Sequence, residues 1–248
     1  MKFEKVKDGL LAFSEKQSVA INLYEEDVWN VINTKRNAIV TTARIEGNNI
    51  NPKKTIFIDV NPDEKSKLYI NYNPLLQIEN DNDAYRIVDI ILENEPMSVA
   101  GCKILLSCLI LFTHRYLSPE ENVFPSILKL LQSCFTEIGD GKILMDNLIS
   151  SKKTDENKRD SVFRLYAGYR KLNPEMQVKI AITLYEIMMP YCTEEYSAYS
   201  VLKQDKVRID FKHESPCYMM YFKDFRYNKI DEKISLLFLE QINNLSKK

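Results

Sequence analysis

The chain has 248 residues, 34 Lys and Arg against 35 Asp and Glu, and a formal net charge of −1, with 45% of its residues apolar. These values exclude a disordered chain, a collagen-like chain and a polybasic nucleic-acid arm, and the length is enough to bury a sizeable core. Only 6 Gly and 9 Pro leave little room for Gly-rich phosphate loops, and the charge balance supplies no global field for nucleic acid or an acidic membrane.

In chain order, Lys2 to Glu15 reads as a short amphipathic helix through Phe3, Val6, Leu10 and Phe13. Glu25 to Ile32, with the single tryptophan Trp29, reads as another. Ala38 to Thr42 is β-branched and bounded by polar residues, which predicts a strand. Thr55 to Val60 is nearly continuous in apolar residues, as a strand covered on both faces would be, and Asn61-Pro-Asp-Glu follows it with turn chemistry.

From Asp81 to about Leu202 the pattern is helical. Asp81 or Asn82 caps a helix carrying Ile87, Val88, Ile90 and Ile91. Met97 to Tyr116 is apolar nearly all round, so it is expected to be buried, with Leu105, Leu106, Leu109 and Ile110 at its centre. Ser118-Pro-Glu-Glu is a helix-start signature, and Pro125 begins the helix that carries Ile127, Leu128, Leu130 and Leu131. Asp140 is expected to cap a short helix with Ile143, Leu144 and Leu148. A charged linker spans Ser151 to Arg159. Two further helices follow, Asp160 to Leu172 and Asn173 to Met189. Lys206 to Phe211 alternates with period two and Cys217 to Phe222 is a second strand candidate. Asp231 to Leu245 closes as a helix through Ile234, Leu237, Phe238, Ile242 and Leu245.

The fold class is therefore α/β and mostly helical. A sheet portion covers 1–78 and 205–248, and a helical insertion covers 79–204.

The five cysteines, Cys102, Cys108, Cys134, Cys192 and Cys217, are odd in number and show no C-x-x-C spacing. They read as reduced, buried thiols of a cytoplasmic protein. The charged start, Met1-Lys-Phe-Glu-Lys, lacks the apolar stretch of a signal peptide, and Val99 to Phe112 is too short to span a bilayer. No membrane insertion is expected.

Gly139-Asp-Gly-Lys142 is the nearest approach to a phosphate loop. Its spacing is too short for G-x-x-x-x-G-K-[ST], and Ile143 stands where a hydroxyl is needed, so a helix start is the better reading. The two histidines, His114 and His213, lie in different segments and offer no zinc-ligand spacing; Cys108 and His114 fall on different helix faces. Asp81, Asp83 and Glu93 read as a solvated helix face. Lys152, Lys153, Lys158 and Arg159 form the one basic cluster, interrupted by Asp155 and Glu156. Tyr191, Tyr196 and Tyr199 follow Pro190 as packing or interface aromatics. These seven residues make the candidate interaction surface. No catalytic, cofactor or metal residue is assigned.

From Thr55 onward the order of features resembles the coupling proteins of type IV secretion systems, the conjugative DNA-transfer ATPases. The residues that carry the resemblance are Ile56-Phe-Ile-Asp-Val-Asn-Pro-Asp-Glu-Lys-Ser66, then Asn71-Tyr-Asn-Pro-Leu75 with the family's YNP triplet. Cys102 to Phe112, Glu120 to Leu131 and Ser161 to Met189 are similar to successive helices of the family's all-α domain. Val207-Arg-Ile-Asp and Cys217 to Phe222 resemble the return to its RecA-like sheet. The resemblance implies a small RecA-like sheet remnant with a large all-α insertion. The sequence departs from the family in having no Walker A lysine loop, no Walker B strand and no N-terminal membrane helices, so ATP hydrolysis is not carried over and no cofactor is implied.

The resulting expectation is a non-enzymatic adaptor that binds a protein or a protein–DNA transfer substrate. Nucleic acid is then reached only through a complex, and self-association is compatible with the reading. The alternative is a viral or mobile-element protein that engages host factors and is unrelated to secretion.

Overall fold

The structure, a computed structural model, describes residues 2–6, 9–13, 18–21, 38–41, 55–59, 69–71, 73–95, 100–140, 142–192, 217–221 and 229–245. The described residues are mostly helical, and the chain divides into two compact units. One comprises Met1–Tyr72 with Val201–Lys248, and the other Asn73–Ser200.

Among the described residues, the first unit contains a seven-stranded sheet. Its strands are β1 (Lys2–Val6), β2 (Gly9–Phe13), β3 (Ser18–Ile21), β4 (Ala38–Thr41), β5 (Thr55–Asp59), β6 (Tyr69–Asn71) and β9 (Cys217–Tyr221), in the order β1-β2-β3-β4-β9-β5-β6. The first three strands form an antiparallel meander, and from β3 to β6 every pairing is parallel. β9 lies between β4 and β5, in register from Thr55↔Cys217 to Asp59↔Tyr221. Strands far apart in sequence are thus hydrogen-bonded neighbours. Parallel pairs need such long connections, because no tight turn can join them.

The amphipathic helix expected over Lys2 to Glu15 is not formed, since β1 and β2 occupy that segment. Phe3, Val6, Leu10 and Phe13 match the helical period, but β1 and β2 pair as antiparallel strands in register from Lys2↔Phe13 to Val6↔Gly9. The expected helix at Glu25 to Ile32 and the expected strand at Lys206 to Phe211 lie outside the described residues.

Among the described residues of this unit, the helix Lys229–Leu245 buries Ile234, Leu237, Phe238 and Gln241, with Lys233 beside them. That spacing of three, one and three is one stripe of a 3.6-residue period.

The second unit contains α1 (Asp81–Leu92), α2 (Ala100–Tyr116), α3 (Phe124–Ser133), α4 (Leu144–Lys152), α5 (Ser161–Arg170) and α6 (Pro174–Met188), and the helix 229–245 is α7. α2 is the axis of the unit. Residues Leu105 to Thr113 are buried without interruption, and α1, α3, α5 and α6 pack around it. Its apolar composition on every face requires this enclosure. Gly101 permits the approach of α6, because a Cβ there would overlap the Ile180 side chain.

The starts of α1, α5 and α6 have a local cause. Asn80 caps α1, one residue before the expected Asp81, and Asp83 accepts from the backbone N–H of Glu79 and Asn80 at 2.9 and 3.1 Å. Asp160 caps α5 and Asn173 caps α6 through Met176 N–H at 2.8 Å. Ser118-Pro-Glu-Glu starts only a single 3-10 turn, Pro119–Glu121.

Asp140 caps no helix. It sits at the tip of a two-stranded antiparallel hairpin, β7 (Glu137–Gly139) and β8 (Lys142–Ile143), and α4 begins after it with Ile143 at the cap position. Gly139 at φ +105 and Asp140 at φ +52 supply the left-handed backbone that a tight hairpin turn demands.

The YNP triplet has a physical role. Asn73 caps the 3-10 turn Pro74–Gln77 through Leu75 N–H at 3.0 Å, and its amide donates to the Asn122 carbonyl at 2.8 Å. Asn122 returns a bond to the Leu75 carbonyl at 3.3 Å. Both asparagines are buried, so this reciprocal pair fastens the entry of the helical unit to the start of α3.

Candidate functional site

Two polar clusters and two surface features carry the chemistry of the helical unit. The first cluster joins α1, α2 and α5. The Arg115 guanidinium donates to Asp81 and to Asp160, and the Tyr116 hydroxyl donates to Asp160 at 2.9 Å. Burial pushes the Asp160 carboxyl up. Hydrogen bonds from Val162 N–H and Tyr116, with Arg115 beside it, outweigh burial and hold it below the usual carboxylate range. Burial and the Asp160 carboxylate push Tyr116 up to about 12. Asp160 is thus held ionised and Tyr116 protonated across the neutral range. Acid–base catalysis needs a group that titrates near the working pH, whereas this pair has the chemistry of a clasp.

The second cluster joins α4, α5 and α6. Asp146 accepts from Tyr166 at 2.8 Å and forms an ion pair with Arg170, whose Nε lies 3.1 Å away, and Arg170 donates to Gln177 Oε1. The Gln177 amide donates to the carbonyls of Leu172 and Arg170 at 2.6 and 3.1 Å, and the Gln177 carbonyl accepts from Tyr169 at 2.8 Å. Carbonyls left over at the end of α5 are thereby satisfied, which sets the tight turn into α6. Burial raises the Tyr166 and Tyr169 hydroxyls well above their usual value.

The basic cluster predicted from sequence runs from Lys152, the last residue of α4, along the loop to α5. Asn157 holds it, accepting from Thr154 N–H at 2.7 Å and donating to the Lys152 carbonyl at 2.9 Å. Lys152, Lys153, Lys158 and Arg159 are all exposed. The Lys153 ammonium lies 5.9 Å from the Phe163 ring centroid, and Lys158 pairs with Asp155 at 3.3 Å.

Tyr191 does not join them. It is 1% exposed and packs against Phe124 with ring centroids 5.6 Å apart, so it is a core residue of the α3–α6 contact and offers no surface. The approach to Phe124, distant in sequence, decides this, and no local pattern encodes it. Tyr196 and Tyr199 lie outside the described residues.

Sequence reasoning missed the second surface feature. α6 buries Ile180, Ala181, Leu184 and Met188, yet Val178 and Ile182 on its outer side are 43% and 45% exposed, and Met189 just past its end is 53% exposed. Tyr185 borders this stripe, set edge-on against Phe135 at 6.3 Å and accepting from Gln132 Nε2 at 3.1 Å. Ile138 of the hairpin adds a further exposed apolar side chain. The spacing 178, 182, 189 was visible as a second apolar face beside the first.

Among the described residues no group of three side chains is placed to hold a metal ion, and no helix is long and apolar enough to cross a membrane. Cys102, Cys108 and Cys134 are buried, reduced thiols, and Cys192 is half-buried. Burial pushes Cys134 and Cys192 up to about 12, and Cys108 higher, so all three are protonated and poor nucleophiles at neutral pH. His114 lies on α2 with its Nδ1 3.3 Å from the Asn122 amide nitrogen.

No known protein family, no curated protein and no solved structure matches this chain.

Proposed function

We propose that the chain is a non-enzymatic interaction module, similar to the all-α region of type IV secretion coupling proteins, that binds a protein or a protein–DNA transfer substrate. The observation that carries the reading is connectivity. The helical unit falls in sequence between β6 and β9, while β9 pairs in parallel with β5. An all-α insertion in a parallel sheet has this chain path, and it is the path that the resemblance implies.

In this reading the module works in the cytoplasm beside a separate motor. The basic loop, Lys152, Lys153, Lys158 and Arg159, meets an acidic surface of the partner, and its fixed backbone lowers the entropy that binding must overcome. With a net charge of −1, the chain leaves DNA contact to that partner.

The test is cross-linked purification of the tagged full chain from its native cell. Recovery of a relaxase or another DNA-transfer component is expected, with loss on reversing the four basic residues to Glu. Recovery of host factors alone, with no transfer component, would overturn the proposal and favour a host-interaction protein.

A further inference from the structure

We infer that the outer face of α6 is the contact between two copies of this chain, paired antiparallel about a twofold axis at Ile182. The inference is independent of the proposed function. It begins from the composition of that face. Val178, Ile182 and Met189 form an exposed apolar stripe, and Lys179 and Glu186 run along one edge of it. At 100° per residue, Lys179 and Glu186 are two turns apart on the same flank. Neither makes an ion pair among the described residues.

That arrangement is complementary to itself. Lys179 precedes Ile182 by three residues and Glu186 follows it by four, so at a rise of about 1.5 Å per residue they stand about 5 and 6 Å from the axis. In an antiparallel pair with an in-plane twofold, each flank meets the same flank of its mate. Lys179 of each copy then faces Glu186 of the other, and the pairing forms twice. On the opposite flank, Val178 meets the Tyr185–Phe135 pair of the second copy, and Ile182 meets its own counterpart at the axis. An isologous interface requires this property, that residue i meets j while j meets i. A parallel pair would instead carry the two charged flanks to opposite sides of the seam, so that Lys179 and Glu186 would meet neither each other nor their counterparts.

The patch is small, one helix face with the edge of the hairpin, which belongs at the low end of interface sizes. Association in the micromolar range is therefore expected.

The test is sedimentation equilibrium of the full chain from ~1 to ~100 µM, a span that brackets a micromolar Kd. The parent is expected to show a monomer–dimer equilibrium. Lys179→Glu and Glu186→Lys, both at exposed positions that leave the core intact, should each weaken it at least about tenfold, since each sets like charges opposite one another twice. The double swap Lys179→Glu with Glu186→Lys should restore association. So should an equimolar mixture of the two single variants, because one then carries two acids where the other carries two lysines. Thermal melts like the parent's confirm that the variants are folded. A parent that stays monomeric at ~100 µM overturns the inference. So does a dimer indifferent to the single swaps, or one that neither the double swap nor the mixture restores.

Discussion

Replacing Leu109 with alanine tests the enclosure of α2. Leu109 is 0% exposed, as are Leu105, Leu106, Ile110 and Leu111 beside it. Shrinking its isobutyl group to a methyl forfeits about 2.5 kcal/mol of transfer free energy, at about 0.8 kcal/mol per buried CH2. The remainder depends on whether the walls can close in. Helices α1, α3, α5 and α6 surround α2, and α6 already sits tight at Gly101, so collapse is limited. At about 24 cal/mol per Å3, a residual cavity of about 50–80 Å3 adds about 1–2 kcal/mol. The sum, about 4 kcal/mol, is a large part of the about 5–15 kcal/mol that holds a domain together. At about 2–4 °C per kcal/mol for a chain of this length, the melting temperature should fall by about 8–16 °C. Circular dichroism melts at the helical band measure this in the full chain. Lys129→Ala, at an exposed position of α3, serves as a control expected to stay within about 0.5 kcal/mol of the parent. A Leu109→Ala chain that melts within about 2 °C of the parent would refute the enclosure of α2.

Two further outcomes are expected. Asp160→Asn keeps a competent helix cap for α5 but removes the charge that faces Arg115, and should cost about 1–2 kcal/mol at pH 7. Because folding lowers the Asp160 pKa, its ionised form contributes stability above the unfolded value of about 4, and that contribution is lost as pH falls through the lower folded value. Urea midpoints of parent and variant should therefore differ most at pH 7 and converge as the pH falls below about 4; an equal gap at both ends would contradict the clasp. For nucleotide, the sequence offers no G-x-x-x-x-G-K-[ST] run of N–H donors, so calorimetric titration with Mg-ATP should give no binding tighter than millimolar. A micromolar dissociation constant would reveal a phosphate site of another geometry.

What the sequence made legible was local. Helix starts at Asp160 and Asn173 follow from cap residues that act within one turn, and α1 was displaced only by one residue. The burial of α2 follows from its having no polar face. The errors arose where local signals compete or where distance decides. Phe3, Val6, Leu10 and Phe13 satisfy a helical period, yet the hydrogen bonds of the meander win. At Gly139-Asp140 the capping habit of Asp competed with the tolerance of both residues for positive φ, and the turn prevailed. Tyr191, read as a packing or interface aromatic and placed with the candidate interaction surface, is a packing residue, and the sequence could not choose because its partner, Phe124, lies on another helix. The charged linker read over Ser151 to Arg159 is an exposed loop, but the bonds of Asn157 that shape it leave no periodic signature in the sequence.

The stripe on α6 was passed over for a different reason. A helix that carries Ile180, Leu184 and Met188 inward already explains its apolar content, so Val178, Ile182 and Met189 look like surplus of the same kind. Geometry separates the two sets. Single exposed apolar residues are ordinary on any surface, because polar groups are too few to cover it. A run of three along one side of a helix, continued by an aromatic pair and the hairpin isoleucine, is a patch, and a patch has a free-energy reason to be covered. The burial term alone has no direction and would accept any apolar partner. The charges on its flank give it one, since Lys179 and Glu186 are satisfied together by a second α6 running the other way and left without each other by one running the same way. In this chain the core specifies the fold, while the choice of partner at α6 rests on the order of two charges about Ile182.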